Sequence, residues 1–247
     1  MQQELNGKVA LVTGSARRVG RAIMLGFARA GAHVVIHHSS SDDDAATAAE
    51  EARALGVETL IVKADLKHYG EAARLFDEIS ARFGRLDVLV NSASNFEQKD
   101  FLDIPPDEWD AVMNVNLRAP FWCTQFAGRM MREAGIAGAV VNIADNSGLR
   151  PWSARPHHSI SKAGLIMLTE VSARALAQYQ IRVNCIVLGP ILPAPDQDEA
   201  TWSKVEARLP LKRSGEPDDA ARAAVFLATN DYITGAALRV DGGEWLV

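Results

Sequence analysis

Cysteine is nearly absent from this 247-residue sequence. Only Cys123 and Cys185 occur, far apart and without the spacing of a metal site. Two isolated thiols fit buried residues in a reducing compartment and exclude a disulfide-built scaffold. Long apolar runs are missing too, since none approaches the roughly 20 residues that a bilayer-spanning helix needs. Residues 1–8 lack a basic segment followed by an apolar one, so no signal peptide is expected and the cytoplasm is the expected compartment. There is no excess of positive charge either. Acidic residues outnumber basic ones by 31 to 26, and a net charge of −5 argues against a nucleic-acid-binding surface. Repeats and low-complexity tracts are likewise absent. What is present is ordinary globular material, 48% hydrophobic, enough for one large core. One domain over 1–247, without a linker, is the expectation.

Short β-branched runs at 8–12, 33–37, 58–62, 87–90, 139–143, 182–187 and 237–240 read as strands. Between them lie 18–30, 44–55, 69–83, 107–127, 157–178 and 217–228, with apolar residues at three- and four-residue spacing, the signature of helices. The acidic run Ser41-Asp42-Asp43-Asp44 reads as a helix start. Strand–helix alternation over the whole length predicts an α/β fold: a Rossmann-type, doubly wound parallel sheet with helices on both faces. Its ligand crevice then lies at the carboxyl ends of the strands. Two stretches break the rhythm, 95–106 and the proline-rich 188–213 with Pro190, Pro193, Pro195 and Pro210. Both follow predicted strands, so both are expected to overhang the crevice and to position or cover a substrate.

The first strand runs into Thr13-Gly14-Ser15-Ala16-Arg17-Arg18-Val19-Gly20-Arg21. Gly14 permits a tight turn, Gly20 permits close packing of helix on sheet, and the helix N-terminus faces a pyrophosphate. This position, after the first strand and opening the first helix, marks a dinucleotide site. At the end of the second strand an acidic residue would hold the adenosine ribose and repel a 2′-phosphate. The sequence there is His37-His38-Ser39-Ser40-Ser41, with no carboxylate before Asp42. Imidazoles and hydroxyls can donate to a phosphate, and Arg17 can supply charge. NADP(H) is the expected cofactor, although the nearby Asp42–Asp44 leaves a plain polar loop as the alternative.

Several further segments carry a resemblance. The 13–20 turn, Ala64-Asp65-Leu66, Asn91-Ser92-Ala93-Ser94, Asn114-Val115-Asn116-Leu117, Arg182-Val183-Asn184 and Val240-Asp241-Gly242-Gly243 look like the short-chain dehydrogenase/reductase family over nearly the whole chain. The resemblance implies that Asp65 contacts the adenine amino group and that Asn91, Ser92 and Ala93 line the adenosine ribose. It implies that Asn116 helps hold a proton-relay water and that Lys162 holds the nicotinamide ribose, and it adds Arg18, Val19, Leu66, Gly189, Pro190 and Ile191 to the cofactor contacts. Within the family the sequence most resembles the pteridine reductases. They too carry an arginine at the position of Arg18, a serine and a phenylalanine at those of Ser94 and Phe96, and an aspartate, here Asp145, where the family usually has serine. The implied substrate pocket is Arg18, Ser94, Phe96, Asp145 and His158. Homotetramers, built through the 157–178 helix and the C-terminal segment, are implied by the resemblance alone.

One departure stands out. The family places a tyrosine four residues before a lysine, so that both face the crevice from one helix. In Pro156-His157-His158-Ser159-Ile160-Ser161-Lys162 the lysine is in place and the tyrosine position holds His158. Leu188 also stands where proline normally precedes Gly189. Imidazole can act as a general acid near neutral pH. The catalytic set is therefore expected to be Asn116, Asp145, His158 and Lys162, with no metal, in an NADPH-dependent reductase of a C=N or C=O bond of a pterin-like flat substrate. A ketone- or steroid-type carbonyl reductase is one alternative, and a catalytically silent NADP(H)-binding protein is another.

Overall fold

The computed structural model describes residues 4–193 and 198–247. Pro195, in the second irregular stretch, lies outside the described residues, as do the first three residues of the chain. Seven strands form one parallel sheet: β1 (Val9–Val12), β2 (His33–His38), β3 (Thr59–Lys63), β4 (Val88–Asn91), β5 (Ala139–Asp145), β6 (Arg182–Leu188) and β7 (Ala237–Val240). Their order is β3-β2-β1-β4-β5-β6-β7, and every pairing is parallel. This is the Rossmann-like, doubly wound arrangement anticipated from the sequence. The chain direction across the sheet reverses between β1 and β4, where a ligand crevice opens at the carboxyl ends.

Both faces of the sheet are covered, which is why β1 is buried along its whole length. Alternate residues serve opposite layers. Ala10 and Val12 join a core with α1 (Arg18–Arg29), α2 (Asp42–Ala54) and α8 (Pro217–Thr229), while Val9 and Leu11 join one with α3 (Tyr69–Phe83) and α5 (Ala119–Glu133). In α1 the inward stripe is Ile23, Met24 and Phe27, all fully buried. Truncating a ring such as that of Phe27 costs about 3–5 kcal/mol. Among the described residues no helix is long and apolar enough to cross a membrane.

Two expectations need correction. The helix expected over 107–127 is α4 (Pro106–Met113), then a π-helical turn at Asn114–Arg118, then α5. The widened turn carries the buried Asn116, whose amide bonds the chain after β4 rather than its own helix. Periodicity could not show it, because the apolar spacing continues across it. The 188–213 stretch contains a ten-residue helix, α7 (Glu199–Arg208), started by Asp198, whose carboxylate accepts from Thr201 N at 2.6 Å. The remaining helix, α6 (Pro156–Leu176), follows β5.

Candidate active site

A cleft of about 1060 Å³ lies over the carboxyl ends of the strands. At one end, β1 turns into α1 through Gly14, whose φ of +68° is left-handed and whose added Cβ would meet Ala93 Cα at 2.9 Å. A Cβ on Gly20 would lie 2.3 Å from Gly14 O. The backbone is thus packed too tightly for side chains, leaving amides to line the floor, and a pyrophosphate fits such a cradle. Thr13 Oγ1 accepts from Ser92 N and Ala93 N at 2.9 and 3.0 Å, tying this turn to the one after β4.

Arg18 stands at a φ of +54°, a conformation that ordinarily costs a non-glycine residue roughly 1–2 kcal/mol. Its guanidinium reaches across to donate to Pro193 O at 2.7 Å, so it joins the glycine turn to the segment before α7. Arg17 lies beside it, 3.5 Å from Asp44. Asp42 is held by Lys63 Nζ at 2.9 Å, and so the acidic run is partly neutralised by its own neighbours. Ser39 and Ser40 line the cleft, as Arg17 does.

His37 also borders the cleft, but both ring nitrogens are occupied by backbone. Nδ1 accepts from Gly14 N at 3.1 Å, and Nε2 donates to Ala64 O at 3.0 Å. Burial pushes its pKa down to about 4, against a smaller opposing pull from the Ala64 carbonyl. This corrects the expectation that His37 donates to a phosphate: its work is to hold the glycine turn. His38 is buried as well, with Nδ1 accepting from Ser41 N at 3.1 Å. Asn91 needs a similar correction. Its amide donates to Asn142 Oδ1 at 2.8 Å and stitches β4 to β5, outside the cleft lining. Ser92, Ala93, Asp65, Leu66, Val19, Gly189, Pro190 and Ile191 do line the cleft. Asp65 meets Lys67 Nζ at 3.1 Å.

The other end is built on β5 and α6. His158 and Lys162 sit one turn apart on α6 and face the same cleft, each almost fully buried. Asp145, the last residue of β5, puts Oδ2 2.7 Å from His158 Nε2. Its other oxygen, Oδ1, accepts from Ser147 N at 3.0 Å and from the Ser147 hydroxyl. His158 Nδ1 lies 3.0 Å from Asn95 O and 3.3 Å from Asn116 Nδ2. Asn116 Nδ2 has nearer acceptors in Asn95 O and Ser161 Oγ, at 3.0 and 3.1 Å. Each ring nitrogen of His158 therefore has an oxygen acceptor opposite it. Lys162 Nζ donates to Ile143 O at 2.9 Å. Burial lowers the Lys162 pKa, partly offset by Asp145. For Asp145, burial works upward, but the hydrogen bond from His158 and the charge of Lys162 outweigh it and hold the carboxyl below its usual range.

Aromatic rings surround this cluster. Phe96 meets His158 edge-on with centroids 4.8 Å apart, and Trp152 lies nearly parallel to His158 at 6.3 Å. Arg155 covers one face of Phe96 at 3.9 Å, and that face is already occupied. Ser94 Oγ donates to Asn116 Oδ1 at 3.2 Å. His157 points away, fully buried, with Nε2 3.3 Å from Glu108 of α4. Among the described residues no cluster of three metal-ligating side chains occurs.

A family model described as "Enoyl-(Acyl carrier protein) reductase" matches residues 14–244. L-rhamnose 1-dehydrogenase (NAD(P)(+)) of Azotobacter vinelandii is 39% identical, over 96% of each chain. The chain is a short-chain dehydrogenase/reductase. Among solved structures, a putative short-chain alcohol dehydrogenase from Sinorhizobium meliloti 1021 superposes with a TM-score of 0.94 at 30% identity, covering 100% of this chain and 99% of that one. A blue fluorescent protein from a metagenomic library, in complex with NADPH, gives 0.89 at 32% identity, with 97% and 98% covered. This short-chain dehydrogenase/reductase is thus an oxidoreductase of a family that uses NAD(P) on carbonyl and alcohol groups of small molecules.

Among the cleft-lining residues that the motif reading did not single out are Trp152, Arg155, Trp202 and Glu244. Trp202 comes with α7, which was not anticipated. Glu244 directly follows the Val240–Gly243 motif and was one residue beyond it. Trp152 and Arg155 lie in the loop between β5 and α6, where no periodicity points to them.

Proposed function

We propose that one domain over 1–247 uses NADPH to reduce a C=N or C=O bond in a flat substrate, with Asn116, Asp145, His158 and Lys162 as the catalytic group. The carrying observation is the contact of His158 Nε2 with Asp145 Oδ2 at 2.7 Å, in the same cleft as Lys162 and the glycine cradle. When bound, reduced nicotinamide supplies a hydride. Lys162 holds positive charge beside the ribose side of that site. His158 gives its Nε2 proton to the reacting oxygen or nitrogen, which competes for it with Asp145 Oδ2. The Asp145 carboxylate then faces a neutral ring, and solvent restores the proton. Asn116 fixes the other edge of the ring through Asn95 O. The side chain of Asp145 is 19% exposed and that of His158 1%, so Asp145 is the member of the pair that meets solvent.

Preference for NADPH rests on Arg17, Ser39 and Ser40 and on the neutralisation of Asp42 by Lys63. A pterin-like substrate is supported by the aromatic walls Phe96 and Trp152, in the same cleft as Arg18 and Ser94. The second reading, an aliphatic carbonyl or sugar substrate, is favoured by the relative's name, L-rhamnose 1-dehydrogenase. A silent NADP(H)-binding protein would have no use for a buried Lys162 beside Asp145. A homotetramer through α6 is supported by the half-exposed Ile160, Met167 and Val171, which share one face of it. The cytoplasm as its compartment is supported by two free, buried cysteines. The test is transfer of deuterium from labelled NADPH to a panel of pterins, quinonoid compounds, ketones and aldonolactones. Labelled pterin product supports the first reading. Transfer only to ketones or lactones supports the second, and transfer to none of them sinks both.

A further inference from the structure

A second carboxylate stands at the substrate end of the cleft, and the reaction above does not use it. Glu244 opens the 3-10 turn Glu244–Leu246 after β7 and lines the same cleft as Asp145, Trp152 and His158. It is fixed there from several sides. Asn146, the residue after Asp145, donates from Nδ2 to Glu244 Oε2 at 2.5 Å. Asn146 is itself buried, and its own Oδ1 has no partner among the described residues, so the amide is turned to serve Glu244. Asp241 accepts from Gly243 N at 3.0 Å and from Trp245 N at 3.1 Å, closing the turn. Arg150 donates to the backbone carbonyls of Trp245 and Val247 and lies 5.5 Å over the Trp245 ring. The turn is thus fixed, and Asn146 holds one oxygen of the carboxyl group at the cleft wall.

Its second oxygen, Oε1, has no donor among the described residues. Burial raises the Glu244 pKa. Asn146 and Arg150 pull it back, while Asp241 and Asp145 add repulsion and the net direction is upward. Two carboxyl groups that line one cleft and repel each other, as Asp145 and Glu244 do, are relieved by a donor or a cation placed near them, and strained further by an anion.

We propose that Glu244 is a specificity-determining residue: its free oxygen accepts from the hydroxyl or N–H edge of an uncharged or cationic substrate and excludes one that presents a carboxylate there. The proposal rests on the functional reading above, because it takes the space beside Asp145 and His158 as the substrate site. A charge-assisted hydrogen bond of this kind is among the stronger polar contacts available to a small ligand.

The experiment uses two probes of one shape, 2-aminobenzimidazole as the donor-edged ring and benzimidazole-2-carboxylate as the anion. Each is titrated calorimetrically into the complex of the whole protein with NADP+. The parent complex is expected to bind 2-aminobenzimidazole about tenfold tighter than the carboxylate. Glu244→Gln should narrow the ratio to about twofold or reverse it, and Glu244→Asp, which keeps the charge, should retain most of it. NADP+ affinity, measured first on each protein, is expected to be the same in all three. A parent complex that fails to bind 2-aminobenzimidazole overturns the proposal. So does a ratio that Glu244→Gln leaves within twofold of the parent. Failure of all three proteins to bind NADP+ would instead overturn the functional reading itself.

Discussion

His37 and His158 are both buried in the wall of one cleft, and both have a partner at each ring nitrogen. The partners differ in kind. His37 lies between a backbone N–H and a backbone C=O, so one nitrogen accepts and the other donates, which is what a neutral ring provides. His158 lies between a carboxylate and a carbonyl, two acceptors, which is what a ring with hydrogen on both nitrogens satisfies. The same side chain is therefore a clip at the end of β2 and, in the function proposed above, a proton source at the start of α6. What separates them is the second residue of each pair, Gly14 in one case and Asp145 in the other.

The largest expected effect tests the second half of that contrast. His158→Phe removes the proposed proton source and is expected to lower kcat/KM at least about 100-fold, the lower end of what a general acid contributes. His158→Tyr should retain or raise activity, because a phenol can donate to the same position. Lys162→Ala should lower turnover at least as far and weaken cofactor binding as well. Steady-state kinetics with whichever substrate takes up hydride checks all three. A His158→Phe protein as active as the parent would make the ring a bystander.

The next tests the clip. The folded pKa of His37 is about 4, and in the unfolded chain it returns to about 6.5. Above pH 6.5 the ring is neutral in both states and favours neither. Between pH 6.5 and pH 4 the unfolded chain takes up the proton and the folded one does not, so stability falls as pH falls, by about 3 kcal/mol at most. In His37→Gln, which can still accept from Gly14 and donate to Ala64, that portion of the pH dependence should vanish. Urea unfolding of both proteins at pH 7 and pH 4 measures it. Equal losses in the two would mean that the ring is already protonated in the fold.

Smaller effects concern the cleft around the two histidines. NADPH should bind at least about tenfold tighter than NADH, worth about 1.4 kcal/mol, and Arg17→Ala should shrink the gap. Equal affinities in the parent would show that Asp44 keeps Arg17 occupied. Phe96→Ala should cost a flat substrate about 1 kcal/mol beyond its lost contact area, and a simple ketone less. Competitive binding of the two ligand types would show whether the ring face left open by Arg155 is used at all.

Much of this site was legible along the chain. Gly14 and Gly20 at their spacing, after an apolar strand, predicted the cradle because backbone sterics admit almost nothing else there. Lys162 four residues after His158 predicted a shared face, since the helical repeat brings such residues together. Partner choice was not legible in the same way. His37 and His38 stand side by side in sequence, and nothing in their order shows that Gly14 N and Ala64 O close on the first ring. Asn91 carries the family's pattern, yet its amide is taken up by Asn142 on the neighbouring strand.

Sequence by itself determined the strand–helix alternation, the parallel sheet and the turn that opens α1, because these follow from local periodicity and backbone sterics. It also supplied His158, four residues before Lys162. Only the tertiary structure decided what that residue faces. Asp145 and His158 lie on different elements and Asn116 on a third, and their hydrogen bonds exist because β5, α6 and the π-helical turn are packed together. The same is true of Glu244. Its carboxyl group reaches the cleft only because β7 pairs with β6 and Asn146 lies waiting beside the end of β5, nearly a hundred residues earlier in the chain.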